Sequence, residues 1–130
     1  MPIKPIRDAE ITFVAVATVP TFRSVAILDT ATGGCKLPAA AAADPLGVAL
    51  ADATASKAVT LQQGGIAECI ASAAIAAGDY VEVANTLGQV RSKTKAGAGA
   101  QPTPIVGRAH SAAAAVNDIV FVQLMPGAMY

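Results

Sequence analysis

Short runs in which apolar and polar residues alternate, each ended by Gly, Pro, Asn or Asp, constrain this chain more than any other feature. In "AAIAAGDYVEVANTLGQV", residues 73–90, a run of small residues stops at Gly78-Asp79 and alternation begins at once. A period of two is typical of a strand with one buried face. The pattern returns in "AAAAVNDIVFVQL", residues 112–124, after Asn117-Asp118. We therefore predict a mainly β protein in which Gly or Asn takes the left-handed turn before a strand.

Alanine is abundant and is the best helix former, but its runs are interrupted. The run "AAAAA" at 39–43 lies between Pro38 and Asp44-Pro45, which leaves room for about one turn. Residues 68–78 could form a short helix ended by Gly78, although that helix would have no polar face. We expect one or two short helical turns in a compact small β-barrel or β-tulip-like domain. The predicted organisation is an extended N-terminal arm, residues 1–8, followed by a single β-rich domain, residues 9–130.

Two hairpins are predicted from turn signals. Gly64-Gly65 separates two apolar runs, and a two-residue loop there would pair Gln63 with Ile66 and Val59 with Ile70. A second hairpin is predicted in residues 80–94, with its turn at 85–88. Further strands are predicted in "EITFVAVATV", "RSVAILD", "PIVGRAH" and "DIVFVQL", and residues 95–104 read as a loop.

Two segments superpose as an internal repeat. "GVALADATASKAVTLQQ", from Gly47, aligns without a gap on "GRAHSAAAAVNDIVFVQ", from Gly107, with Gln63 opposite Gln123. Alanine matches carry little weight in an alanine-rich chain, but the shared order of strand, loop and strand indicates a repeated hairpin-like unit.

The composition indicates a protein that buries surface against a partner. Hydrophobic residues make up 54% of the chain and charged residues 14%, where soluble domains carry about 25% charged residues. We expect self-association or burial against a larger partner. Nine basic residues balance nine acidic ones and aromatic residues are 4%, which argues against nucleic-acid binding.

The N-terminal segment resembles a secretory signal only in part. Asp8 and Glu10 interrupt its basic region, and its apolar run is well short of the roughly 20 residues that span a membrane. We predict no membrane partner and synthesis in the cytoplasm.

Residues that carry chemistry are few and scattered. Cys35 and Cys69 are too few for a disulfide scaffold and are expected to be free buried thiols. His110 is the single histidine, so a two-histidine metal site is excluded and a structural or surface role is favoured over a Cys-His nucleophile pair. Asp79 and Asp118 are expected to bond turn amides. We predict no catalytic residue, metal or cofactor.

Three groups of residues are candidate contacts. A basic stripe would place alternate side chains on one face of a strand, or would protect a solvated edge; it comprises Arg91, Lys93 and Lys95. Strand 118–124 is apolar on both faces, so its second face is covered by another subunit or lies inside a closed barrel. The subunit-interface candidates on it are Val120, Val122 and Leu124.

The N-terminal arm is the third candidate. Two prolines favour an extended conformation, and apolar and basic residues alternate between them and beyond. The arm would lie along a neighbouring subunit or a larger partner protein, or would fold back on its own domain. Its candidate contact residues are Pro2, Ile3, Lys4, Pro5, Ile6 and Arg7.

The order of motifs over 45–127 resembles the capsid decoration, or cement, proteins of tailed bacteriophages. It contains a GVAL strand, an alanine-rich loop, an alternating strand ended by glycine, the unit "AIAAGDYVEV", a G-x-V hairpin, and then "GRA" with "NDIVFV". The resemblance implies a compact β-fold that binds the outside of a capsid shell, often as a trimer at three-fold positions, without catalytic residues. It also implies the major capsid protein as partner and the virion exterior as location.

Two other classes of function remain as alternatives. A small β-barrel enzyme or ligand carrier would show activity that depends on His110 or a cysteine. A surface adhesion module would require export.

Overall fold

The computed structural model describes residues 6–130, with side chains from residue 9 onward. The prediction of a mainly β protein is confirmed, whereas the expected helical turns are absent from residues 6–130: residues 39–43 form bends and turns, and 68–70 continue a strand. The nine strands are β1 (Ile6–Val14), β2 (Val25–Leu28), β3 (Cys35–Lys36), β4 (Gly47–Ala49), β5 (Ala58–Ile70), β6 (Tyr80–Val83), β7 (Val90–Ser92), β8 (Gly107–Ala109) and β9 (Ile119–Leu124).

The strands form one antiparallel sheet organised around β5. Its order is β3-β2-β4-β5-β9-β8-β6-β7, and β1 pairs with the other edge of β5. The 13-residue strand β5 is shared: β1 and β4 pair with its first half, and β9 pairs with residues 66–70.

The predicted hairpin at Gly64-Gly65 is wrong. Gly65 has the positive φ of a turn residue, 74°, but β1 pairs with both glycines and keeps the chain extended through them. Val59 therefore pairs with Phe13, and Ile70 pairs with Ile119. The predicted hairpin in 80–94 is confirmed, because β6 pairs with β7 from Val81↔Ser92 to Val83↔Val90.

The backbone pairing reveals a duplication that is larger than the predicted hairpin-like unit. We name residues 10–62 repeat A and residues 66–123 repeat B. In each repeat the first strand pairs with the last, the last with the fourth, the fourth with the second, and the second with the third. The pair Ala26↔Gly47 of repeat A thus corresponds to Val81↔Gly107 of repeat B. The first half of β5 ends repeat A, and its second half begins repeat B.

The gapless alignment of the repeat is wrong by one residue in its second strand. Val48 pairs with Gln62, and its counterpart Arg108 pairs with Gln123. Gln62, and not Gln63, is therefore the structural counterpart of Gln123. Side chains alternate between the two faces of a strand. The gapless alignment would therefore match residues on the core face of β5 with residues on the outer face of β9.

The sheet curls around two apolar cores, one within each repeat, and the core of repeat B also includes Val25 and Val48 of repeat A. A parallel bridge joins Ala15, after β1, to Cys35, and the equivalent bridge joins Ala71 to Val90. In each repeat the third strand is thereby joined to the chain just after the first strand, which bends the sheet into a curl. The core of repeat A contains Ala15, Ala26, Cys35, Ala49, Val59 and Leu61, and their counterparts Ala71, Val81, Val90, Ala109, Val120 and Val122 lie in the core of repeat B.

Candidate interaction surface

The basic residues predicted to form a stripe do not share one strand. β7 ends at Ser92, so Lys93 and Lys95 lie beyond it. Arg91 is engaged within the domain: its Nε lies 2.8 Å from Oε2 of Glu82, whose side chain is 7% exposed. Lys95 is exposed, and Lys93 is half-buried with its backbone N–H bonded to the Tyr80 carbonyl. The predicted stripe is therefore one paired arginine followed by two lysines in a loop.

The residues predicted as a subunit-interface strand face the interior of the domain. Val120 and Val122 are fully buried in the core of repeat B, and Leu124 packs against that core. The core of the curled sheet therefore covers this face of the strand, and the prediction that both faces are covered is wrong. The outer face of β9 carries Ile119, which is 40% exposed, and the half-buried Phe121.

The N-terminal arm is described only from Ile6. The candidates Pro2, Ile3, Lys4 and Pro5 lie outside the described residues. At Ile6 and Arg7 the backbone belongs to β1 and pairs with Ile66 and Gly65 of β5.

The two thiols are structural residues in separate cores. Cys35 and Cys69 are both free and fully buried, as predicted. Burial raises the pKa of both, that of Cys69 to about 12, with the Glu68 carboxylate as a second cause. A thiol in this state carries almost no nucleophilic thiolate at neutral pH.

We expect iodoacetamide at pH 8 to alkylate both cysteines at least about a thousandfold more slowly in the native protein than in the unfolded one. The reason is the loss of both thiolate character and access. Mass spectrometry of samples quenched over time, with and without urea, measures the two rates. Rapid alkylation of Cys69 in the folded protein would contradict this account of its surroundings.

The remaining polar candidates hold turns. Asp79 accepts hydrogen bonds from the Ser92 hydroxyl and from the Ala76 N–H, and these bonds lower its pKa. Asp118 accepts from the N–H groups of Ala114 and Ala115, so the prediction for both aspartates is confirmed. The ring Nε2 of the exposed His110 lies 2.9 Å from Gln123 Oε1. Among the side chains described, those of residues 9–130, no three of His, Cys, Asp or Glu form a group that could hold a metal ion.

An apolar groove crosses the boundary between the repeats. It consists of two depressions of about 540 and 240 Å³ that share Leu37 and Leu87. One wall comes from the loops before β2 and after β3, and the other from the turn between β6 and β7. Its residues are Ala17, Thr18, Thr21, Phe22, Ser24, Lys36, Leu37, Pro38, Ala39, Ile70, Thr86, Leu87, Gly88 and Gln89.

The second wall of the groove is fixed by a contact between the repeats. The Val25 N–H donates a 2.9 Å hydrogen bond to the carbonyl oxygen of Gly88, so the β6–β7 turn rests on repeat A. Beyond that contact Leu87 projects with 62% of its surface exposed, and Phe22 is 37% exposed. Contiguous apolar surface of this kind is typical of a site that binds another macromolecule.

Sequence reasoning did not identify the groove. Phe22, Leu37 and Leu87 lie in or beside turns, and none of them belongs to a run in which apolar and polar residues alternate. A usable signal was the leucine in "NTLGQ", because the tip of a tight turn rarely reaches a core. Only the packing of one repeat on the other brings the three side chains together.

Among the residues that the structure describes, no helix has the length and hydropathy of a membrane span. No protein-family model matches the chain, and neither does any curated protein. Among solved structures, the fold is similar to that of the head fiber gp8.5 N base in bacteriophage phi29, with a TM-score of 0.70 and 16% sequence identity. The superposition covers 90% of this chain and 95% of that chain, so the similarity of fold extends over most of both chains.

Proposed function

We propose that this chain is a structural protein of a phage virion that binds the outer surface of the capsid and stabilises the shell. The observation that carries the proposal is the likeness to a head fiber base, which extends over 90% of this chain and 95% of that one. Likeness on that scale involves both repeats and the strand they share, so it is more than a common hairpin.

The surface of the domain supports a binding role. Its buried thiols and hydrogen-bonded aspartates serve the fold, whereas the groove presents apolar side chains to solvent. One fold hosts many functions, and function has to be argued from such surfaces. We propose a protein without enzymatic activity or cofactor, with the major capsid protein and further copies of itself, as a homotrimer, for partners.

The proposed location is the capsid exterior, after synthesis and assembly in the host cytoplasm. For contact with the shell we propose the arm residues up to Arg7, together with Lys93 and Lys95. Their charges suit the carboxylates of a shell surface, and Lys95 is exposed. Neither nucleic acid nor membrane is a proposed partner.

A second role, as the base of a projecting appendage, is favoured by the same neighbour, because that solved protein is the base of a head fiber. The two roles differ in their mechanical consequence. A cement protein bridges capsid subunits and raises the temperature at which the shell opens, whereas a base holds an appendage and leaves that temperature unchanged.

Phage particles that lack this protein test the proposal. We expect the purified protein to rebind to their exterior, visible by cryo-electron microscopy, and to raise the temperature at which the particles release DNA. A variant without residues 2–5 keeps β1 and is expected to rebind more weakly. Rebinding with no change in DNA release would support the base role, and failure to bind the exterior of any shell would refute both.

A further inference from the structure

The duplication provides an internal control for the apolar groove. Each repeat has a turn between its second and third strands, closed by equivalent backbone hydrogen bonds from Asp29 N–H to Gly34 and from Ala84 N–H to Gln89. By that correspondence the groove residue Leu87 of repeat B takes the place of Thr32 in repeat A. Thr32 is exposed, and its turn has the same closure. The turn therefore does not need a leucine.

The same comparison applies to the opposite wall. The Arg23 N–H donates a hydrogen bond to the Ala49 carbonyl, and in repeat B the Gly78 N–H donates the equivalent bond to the Ala109 carbonyl. The residues that precede these donors, Phe22 and Ala77, are therefore counterparts. Lys36 in β3 corresponds to Arg91 in β7. The next residue in each repeat is Leu37 and Ser92, so these two are also counterparts. Ala77 and Ser92 are both exposed. At these three positions the fold thus accepts a small or polar residue in one repeat, whereas the groove has a large apolar residue at the equivalent position of the other. The pairs are Thr32 and Leu87, Ala77 and Phe22, and Ser92 and Leu37.

The charges beside the groove are neutralised within the domain. Lys36 Nζ lies 3.2 Å from Asp29 Oδ1, and Arg23 Nε lies 2.8 Å from Glu68 Oε2. The Arg23 guanidinium also lies over the Phe22 ring, 4.3 Å from its centroid. Two copies of this surface can therefore approach each other without repulsion between like charges. A surface with charges of a single sign would repel its own copy.

We propose that this groove is the surface through which copies of the chain associate, with Leu87 of one copy packed in the groove of the next. An exposed apolar side chain stands beside an apolar depression, so the surface is complementary to itself. Repeated in one direction, such a contact forms a ring when the rotation between neighbouring copies closes, and a trimer is the ring that a rotation of 120° would give. The inference rests on the self-association included in the proposed function and names the surface that performs it.

Two variants copy the counterpart residues and so keep the fold. Leu87→Thr introduces the residue of repeat A, and Phe22→Ala introduces that of repeat B. Each removes the burial of a large apolar side chain on association, and we expect each to weaken the association constant about tenfold or more. Val116→Thr is the control, because Val116 is 57% exposed and lies outside the groove. Sedimentation equilibrium over a concentration series measures association, and circular dichroism verifies the fold.

Association as strong in the Leu87→Thr and Phe22→Ala variants as in the control would overturn the inference. A wild-type protein that stays monomeric over the concentration series would also overturn it, and loss of shell binding in both variants would then assign the groove to the shell. Weaker association in both variants with an intact fold supports it, whether or not the protein binds a shell. Shell binding, measured separately with purified particles, decides the proposed function.

Discussion

Gly107→Ala is expected to destabilise the protein by about 3 kcal/mol or more, the largest effect of any single methyl group that we predict. A Cβ at this position would lie 1.8 Å from the Gln123 carbonyl oxygen and 2.8 Å from its carbonyl carbon. Both atoms belong to the backbone of β9, which β5 and β8 hold from either side. The strand therefore has no room to move away.

Thermal unfolding followed by circular dichroism measures this effect, and the midpoint should fall by about 10 °C or more. Gly97→Ala is the matched control, because nothing lies within 4 Å of its added Cβ, and its stability should change by less than about 1 kcal/mol. Gly47, the counterpart of Gly107 in repeat A, has a less severe contact of 2.8 Å with the Gln62 carbonyl oxygen. Equal midpoints for the Gly107 and Gly97 variants would show that β9 yields.

Arg91→Ala is expected to lower the free energy of unfolding by about 1–3 kcal/mol, because it leaves the Glu82 carboxylate buried without its partner. Glu82 is 5% exposed, and Arg91 Nε is its ion-pair partner at 2.8 Å. The loss comes from the charge left behind more than from the attraction that is removed. Urea denaturation measures it.

The duplication again supplies the control. At the positions equivalent to Glu82 and Arg91, repeat A has Ile27 and Lys36, which are paired across β2 and β3. The double variant Glu82→Ile with Arg91→Lys should therefore recover most of the stability that Arg91→Ala loses. If the double variant were the less stable of the two, the role of a buried charge would be refuted.

The sequence permits the prediction of strands wherever a local pattern decides the structure. Alternation in "DYVEV" and "DIVFVQL" identified β6 and β9, and the turn signal near Gly88 identified the hairpin that joins β6 to β7. Glycine at 64–65 led to a wrong hairpin prediction, because turn propensity depends on local sequence and the pairing of β1 with β5 does not. A local pattern contains no information about a partner strand that lies more than 50 residues away.

The candidate contact residues were harder to predict for a related reason. Val120 and Val122 are apolar whether they face a core or a subunit, and only the curl of the sheet distinguishes the two. The sequence around Arg91 does not reveal whether its side chain is free to bind a partner or forms an ion pair with Glu82. The groove arises where repeat B rests on repeat A through Gly88 and Val25, and periodicity within one segment contains no information about such a contact.

The shared strand β5 has a consequence for how the protein unfolds. Repeat A loses its last strand and repeat B its first if β5 detaches, so neither core survives alone. Two tandem units linked by a loop could open one at a time, whereas these two open as one cooperative unit. A pull on either repeat is transmitted along the continuous backbone of β5 to the other.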